Sequence, residues 1–166
     1  MGSDISGWVE IRDREWGEWH GVIRICYLVH RSYGMFASLF GIRNYGRFRP
    51  TAEGHGAPDN CSNEFHAEWQ DGRGLAGTTW VLWSEIAAID WDEEEQDEEK
   101  DEADEKEESG QSNSPGPTSL VHPIIQPYHR HDYLRGDWAT LFKMMELLAA
   151  DYGEDGVRLS VWFDTW

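Results

Sequence analysis

Residues 157–163 read VRLSVWF. Val157, Leu159, Val161 and Phe163 alternate with Arg158, Ser160 and Trp162. An apolar residue at every second position is the pattern of a β-strand with one face on a core. Immediately before it, Trp138, Leu141, Phe142, Met145, Leu148, Ala149 and Tyr152 recur at helical spacing, with Asp137 at the start and Gly153 at the end. That pattern predicts an amphipathic helix. One helix and one strand cannot enclose a core. The C-terminal segment must therefore dock onto chain that precedes it by a long interval.

The interval is set by residues 92–108, DEEEQDEEKDEADEKEE, with 13 acidic and 2 basic residues. This run supplies −11 of the formal net charge of −18. It is followed by a Ser/Gly/Pro-rich stretch through Pro117. Like charges without aromatic or β-branched residues cannot bury enough apolar surface to offset the entropy of ordering. We therefore expect residues 92–119 to form a disordered acidic insert. Closure entropy rises only with the logarithm of loop length, so a domain can carry such an insert. Residues 1–91 together with 120–166 are expected to make a single domain, from a chain of 166 residues.

The N-terminal part predicts the remaining elements. Residues from Ile5 to Asp13 alternate in part and read as a strand. Arg14 to Glu18 form a turn, and Trp19 to Val29 a hairpin partner. Tyr33, Phe36, Leu39 and Phe40 fall on one helical face, with Gly41 as the stop. Ile42 to Pro58 is loop-like. Ser62 is placed to cap a short helix in which Phe65 and Trp69 stack at i, i+4. Thr78 to Trp83 reads as a strand, and Ser84 as the cap of a helix carrying Ile86 and Ile89. The order predicts an α+β fold: a mainly antiparallel sheet with helices packed on one face, interrupted by the acidic insert. Ten tryptophans supply much of the apolar surface. Trp69, Trp91 and Trp138 stand at core spacing. Trp8, Trp80 and Trp162 fall where alternation turns them to the other face of the sheet.

Composition limits the functional classes. No apolar stretch approaches the length of a transmembrane helix, and the polar opening residues lead us to expect no secretory leader before the first strand. With two cysteines, Cys26 and Cys61, a reduced cytoplasmic setting is expected. The acidic balance argues against direct binding to duplex nucleic acid. There is no phosphate-binding glycine loop, nucleophile elbow or His-Glu-x-x-His pattern. His129 and His131 beside Asp132 have a spacing that suits metal ligation in an extended segment, but a polar loop next to the insert is the simpler reading.

Residues 40–50, FGIRNYGRFRP, interleave three arginines with aromatics. Guanidinium groups beside aromatic rings suit phosphate, carboxylate or base recognition. We therefore take Arg43, Asn44 and Arg47, with Asp59 and Trp80, as candidate ligand-binding residues. The expected function is a non-catalytic binding or interaction protein that holds a small anionic molecule or a protein partner at this loop. Two alternatives remain. In one, Asp4, Glu10 and Asp59 cluster around a divalent cation such as magnesium and serve a hydrolase. In the other, the acidic insert acts as a decoy for a basic nucleic-acid-binding surface.

Several motifs carry a family resemblance. They are Met1-Gly2-Ser3-Asp4-Ile5-Ser6 followed by Glu10, Arg31-Ser32-Tyr33-Gly34-Met35-Phe36, Gly41-Ile42-Arg43-Asn44, Gly56-Ala57-Pro58-Asp59-Asn60-Cys61-Ser62, and Thr78-Thr79-Trp80 before Ser84-Glu85-Ile86. Together they resemble a group of small phage and bacterial proteins that open Met-Gly-Cys-Asp-Ile-His. The resemblance covers about the first 91 residues and implies kinship, with no activity attached. Ser3 and Ser6 stand where the group has Cys and His, and Gly77 and Thr78 stand where a His precedes the Trp. A metal site inherited from the group would retain only Asp4, Glu10 and Asp59.

Overall fold

The computed structural model describes residues 2–45, 47–71, 75–96 and 128–165. Most of the acidic run and the segment through Pro127 that follows it lie outside these residues. The fold is α+β. Its strands are β1 (Ser3–Arg12), β2 (Trp19–Arg24), β3 (Leu75–Leu82) and β4 (Val157–Thr165). Its helices are α1 (Tyr33–Phe40), α2 (Asn63–Asp71), α3 (Trp83–Ala87), α4 (Arg130–Tyr133) and α5 (Asp137–Tyr152). The strands form one antiparallel sheet in the order β2-β1-β4-β3.

The first and last strands are neighbours at the centre. They pair from Ser3 opposite Thr165 to Ile11 opposite Val157. Sequence on both sides of the insert therefore shares one sheet, as the unpartnered helix-strand segment requires. Gly7 has no room for a side chain. A Cβ there would stand 2.1 Å from the Ser160 carbonyl oxygen, so no other residue fits without moving backbone.

The alternation in β1 and β4 divides the sheet into two faces. Ile5, Val9, Ile11, Val157, Leu159, Val161 and Phe163 belong to the main core with α1, α3 and α5. There Phe36 meets Phe163 and Trp138 edge-on, at 5.1 and 6.2 Å between ring centroids. Ser32 accepts the Met35 N–H at the start of α1, and Gly41 closes it with φ 72°. The glycine supplies the left-handed residue that releases the chain from the helix.

Helix α2 departs from the one-sided arrangement. It covers the other face, where Phe65 packs edge-on against Trp162 at 5.3 Å, leaving Trp162 only 5% exposed. A sheet with large aromatics on both faces needs cover on both. The same helix guards the edge strand β2. Its Glu64 carboxylate accepts the Gly21 N–H at 3.0 Å, and Glu68 pairs with Arg24 at 2.9 Å. Side chains placed against an edge block pairing with another chain.

Other expectations change as well. The strand expected through Val29 stops at Arg24, and Ile25–Tyr27 forms a 3-10 turn. Ile25, Leu28 and Val29 stand at i, i+3 and i+4, so a helical turn brings all three to the core side, which an extended strand cannot do. The expected polar loop at His129–Asp132 instead begins α4, whose Arg130 is buried. Arg130 binds Glu93 at 2.6 Å, the Ser38 carbonyl at 2.9 Å, and the Arg49 carbonyl. Finally, Asp92 to Gln96 do not behave as free insert. The Glu95 N–H donates to the Tyr128 carbonyl at 2.6 Å, and Glu95 pairs with Arg47 at 2.9 Å. Acidic residues with dedicated arginine partners are ordered by those partners.

Replacing Gly7 by Ala is expected to destabilise the fold by at least about 2 kcal/mol in urea unfolding, through the main-chain clash. Glu64 is held below the usual carboxylate range, chiefly by the Gly21 N–H. Its stabilising bond is therefore complete above the unfolded-state pKa near 4.5 and is lost as pH falls through the lower folded value. The stability of Glu64→Gln should fall less steeply than that of the parent chain between pH 5 and pH 3, as read by melting temperature.

Candidate functional site

Glu10 on β1 lies directly opposite Arg158 on β4, and both point to the face covered by α2. Both are essentially buried, at 0% and 2% exposure. One Glu10 oxygen accepts from Arg158 Nε and from the Ser160 hydroxyl, each at 2.6 Å. The other accepts the Ser62 N–H at 2.6 Å. Arg158 spends its two remaining nitrogens on Asn60, donating to the side-chain oxygen at 2.9 Å and the carbonyl at 3.0 Å. Its flat guanidinium then lies 3.8 Å from the Trp19 ring centroid and 5.9 Å from that of Trp80. Every polar group in this knot is matched, which is the condition for burying charge.

The knot pins the loop before α2 over the sheet. Further along that loop, His55 donates its N–H to the Thr79 hydroxyl at 3.3 Å. Its Nδ1 lies 3.0 Å from the Trp80 carbonyl, which can only accept, so Nδ1 donates there. The Thr79 hydroxyl in turn donates to the Ala52 carbonyl at 2.6 Å. Between loop and sheet is a cleft of about 720 Å³. Trp19, Arg158 and Trp80 form its floor, with Arg12, Asp59 and Asp155 around the rim. Arg12 approaches the Trp19 ring at 5.8 Å. Burial, with Glu10 close by, pushes the neighbouring Cys61 thiol above its ordinary pKa, so it is a poor nucleophile at neutral pH.

Compared with family models, curated proteins and solved structures, the chain matches none. The chemistry of the cleft must therefore be argued from its own residues.

Of the five candidate ligand residues, Asp59 and Trp80 meet in this cleft. The other three belong to the 40–50 loop and help to build it. Arg43 has φ 55°, donates to the Ser3 hydroxyl at 3.2 Å and sits 4.8 Å from the Tyr33 ring centroid. Asn44 clamps the backbone of Phe48, donating to its carbonyl at 2.6 Å and accepting its N–H at 2.9 Å. Arg47 is paired with Glu95. Two of the loop's three arginines, Arg43 and Arg47, are thus engaged by the fold itself.

The carboxylate cluster expected for a divalent cation does not form. Asp4 pairs with Arg31, and Glu10 is enclosed by Arg158, Ser160 and Ser62. At about 3.3 Å per residue, six positions along β1 put Asp4 roughly 20 Å from Glu10. Among the described residues, no group of three or more His, Cys, Asp or Glu could hold a metal ion.

Trp19, Asn60, Arg158, Arg12, His55 and Asp155 were not singled out as site residues from sequence. The available signal was a charged residue inside an apolar strand on each side of the insert, Glu10 in β1 and Arg158 in β4. Their pairing could not be seen because it depends on the register of strands 148 positions apart.

Removing either partner alone, as in Glu10→Ala or Arg158→Ala, is expected to cost about 3–5 kcal/mol, because the other charge is left buried and unmatched. The double variant Glu10→Leu, Arg158→Met should lose less than either single variant in urea unfolding.

Proposed function

We propose that the protein is a non-catalytic binding protein, an accessory factor of phage or bacterial type, whose partner enters the cleft above Trp19, Arg158 and Trp80. One observation carries this reading. An open cleft of about 720 Å³ has an aromatic floor and a charged rim, while the Arg158 in that floor and the Glu10 beneath it are fully engaged with each other and their neighbours. Concave sites with apolar walls and a few convergent polar groups are where ligands bind. A buried Glu and Arg that satisfy one another support a scaffold role, since neither has spare capacity for proton transfer.

The cleft replaces the 40–50 loop as the binding site in this proposal. It also shifts the balance between the two expected ligand classes. The charge of Arg158 is already matched by Glu10. Among the described rim residues, Arg12 has no ion-pair partner, and it stands against two carboxylates, Asp59 and Asp155. That balance favours a segment of a protein partner over a small anion. The hydrolase alternative has lost the carboxylate cluster on which it rested. The decoy alternative depends on the part of the acidic run that lies outside the described residues, and no contact within the cleft favours it. No helix among the described residues is long and apolar enough to cross a membrane.

Native mass spectrometry of the full chain, purified gently from its own cells beside Trp80→Ala, tests the proposal. We expect a co-purifying mass on the parent chain that the variant loses. An equal load on both would place binding outside the cleft, and bare chains in both would remove its support.

A further inference from the structure

We propose that the cleft recognises the basic side chains, Arg or Lys, of an extended segment of its protein partner. The inference deepens the binding reading above and rests on it.

Three features of the cleft point to this chemistry. The first is its aromatic floor. Trp19 and Trp80 already flank a guanidinium, that of Arg158, at 3.8 and 5.9 Å. Indole faces attract cations through their ring quadrupole, and arginine stacks on them especially well. Arg158 and Arg12 already use the Trp19 ring, whereas Trp80 lies farther from Arg158, is only half-buried and lines the cleft, so its ring is the surface offered to an incoming cation.

The second is the charge around that floor. Asp59 and Asp155 stand on the rim, both exposed, and no hydrogen bond or ion pair to either occurs among the described residues. Arg12 opposes them with a single charge. Arg158 adds nothing to the balance because Glu10 neutralises it from below at 2.6 Å. The unmatched groups are thus mainly the two carboxylates, the complement of a donor-rich cation. Arg12 is placed to meet a backbone carbonyl or an acidic neighbour in the same segment.

The third is the field in which the cleft sits. The chain carries a formal net charge of −18. A potential of that sign draws basic partners toward the surface and speeds encounter. The acidic run makes this attraction general, whereas the cleft supplies the place where one side chain is held. A volume of about 720 Å³ exceeds the needs of a single side chain and accommodates the adjoining backbone.

The test must separate attraction by the acidic run from occupancy of the cleft. The full chain is titrated with capped pentapeptides, glycine at positions one, three and five, and arginine, lysine, leucine or glutamate at positions two and four. Indole N–H resonances of Trp19 and Trp80 report the cleft in nitrogen–proton correlation spectra, and isothermal calorimetry reports total binding. Arginine and lysine peptides should shift both indoles saturably, with arginine the tighter. Leucine and glutamate peptides should leave them in place. The double variant Asp59→Asn, Asp155→Asn removes exposed carboxylates that make no internal bond, so its melting temperature should match the parent. Its affinity for the arginine peptide, read at the indoles, should fall about fivefold to tenfold. Raising sodium chloride from 0.05 to about 0.5 M should weaken the interaction further.

Equal indole titrations in the parent and the double variant overturn the proposal. So does heat of binding without any indole shift, which assigns the attraction to the acidic run. Saturable shifts with leucine or glutamate peptides alone overturn the basic preference but leave the cleft as a binding site. The binding reading itself fails only if Trp80→Ala also loses no co-purifying partner in native mass spectrometry.

Discussion

The ion pair between Glu10 and Arg158 is the interaction on which the other features of the outer face depend. It joins the first strand to the last across 148 positions of sequence. It also reaches the loop before α2, through Ser62 on the Glu10 side and Asn60 on the Arg158 side. Charges buried this deeply are tolerated because each donor and acceptor has a partner. The pair thereby sets three things at once: the register of β1 against β4, the height of the loop above the sheet, and the orientation of the guanidinium between Trp19 and Trp80.

The two faces of the sheet have different chemistry for that reason. The inner face is a continuous apolar layer, where Phe36, Phe163, Trp138 and Phe142 interlock edge to face. The outer face mixes tryptophans with a polar knot, and only part of it is covered by α2. The cleft lies in the part left over. A helix long enough to cover the whole face would have buried Trp80 and closed the site. The short α2 instead reaches from β2, where Glu64 and Glu68 guard the edge, to β3, where the Trp69 indole N–H donates to the Thr78 hydroxyl.

Loop 40–50 illustrates how a sequence signal for binding can have a structural origin. Arginines among aromatics are what a phosphate or carboxylate site requires, and also what a long loop needs to hold itself in place. Here Asn44 closes the loop onto Phe48, Arg43 lies over Tyr33, and Arg47 pairs with Glu95. The last of these pairs draws the start of the acidic run onto the body. Composition treats Asp92 to Gln96 as part of a uniform run, because it counts like charges without their partners. Arg130 and Arg47, distant in sequence, are the partners that hold Glu93 and Glu95.

Local periodicity was enough to determine most elements. The alternation at 157–163, the helical spacing at 138–152 and the stop at Gly41 all concern neighbours within a few residues, where backbone geometry dictates which side chains share a face. The α+β class and the joining of the two ends into one sheet followed, because a helix and a strand with apolar faces cannot stand alone. The tertiary structure alone decided which strands are adjacent, that α2 covers the opposite face, and that Asp59 and Trp80 share a cleft with Arg12 and Asp155 while Arg43, Asn44 and Arg47 do not. It likewise decided that Glu10 meets Arg158 rather than Asp4. A carboxylate's role is set by the charge that reaches it through space, and a single sequence records only which charges lie nearby along the chain.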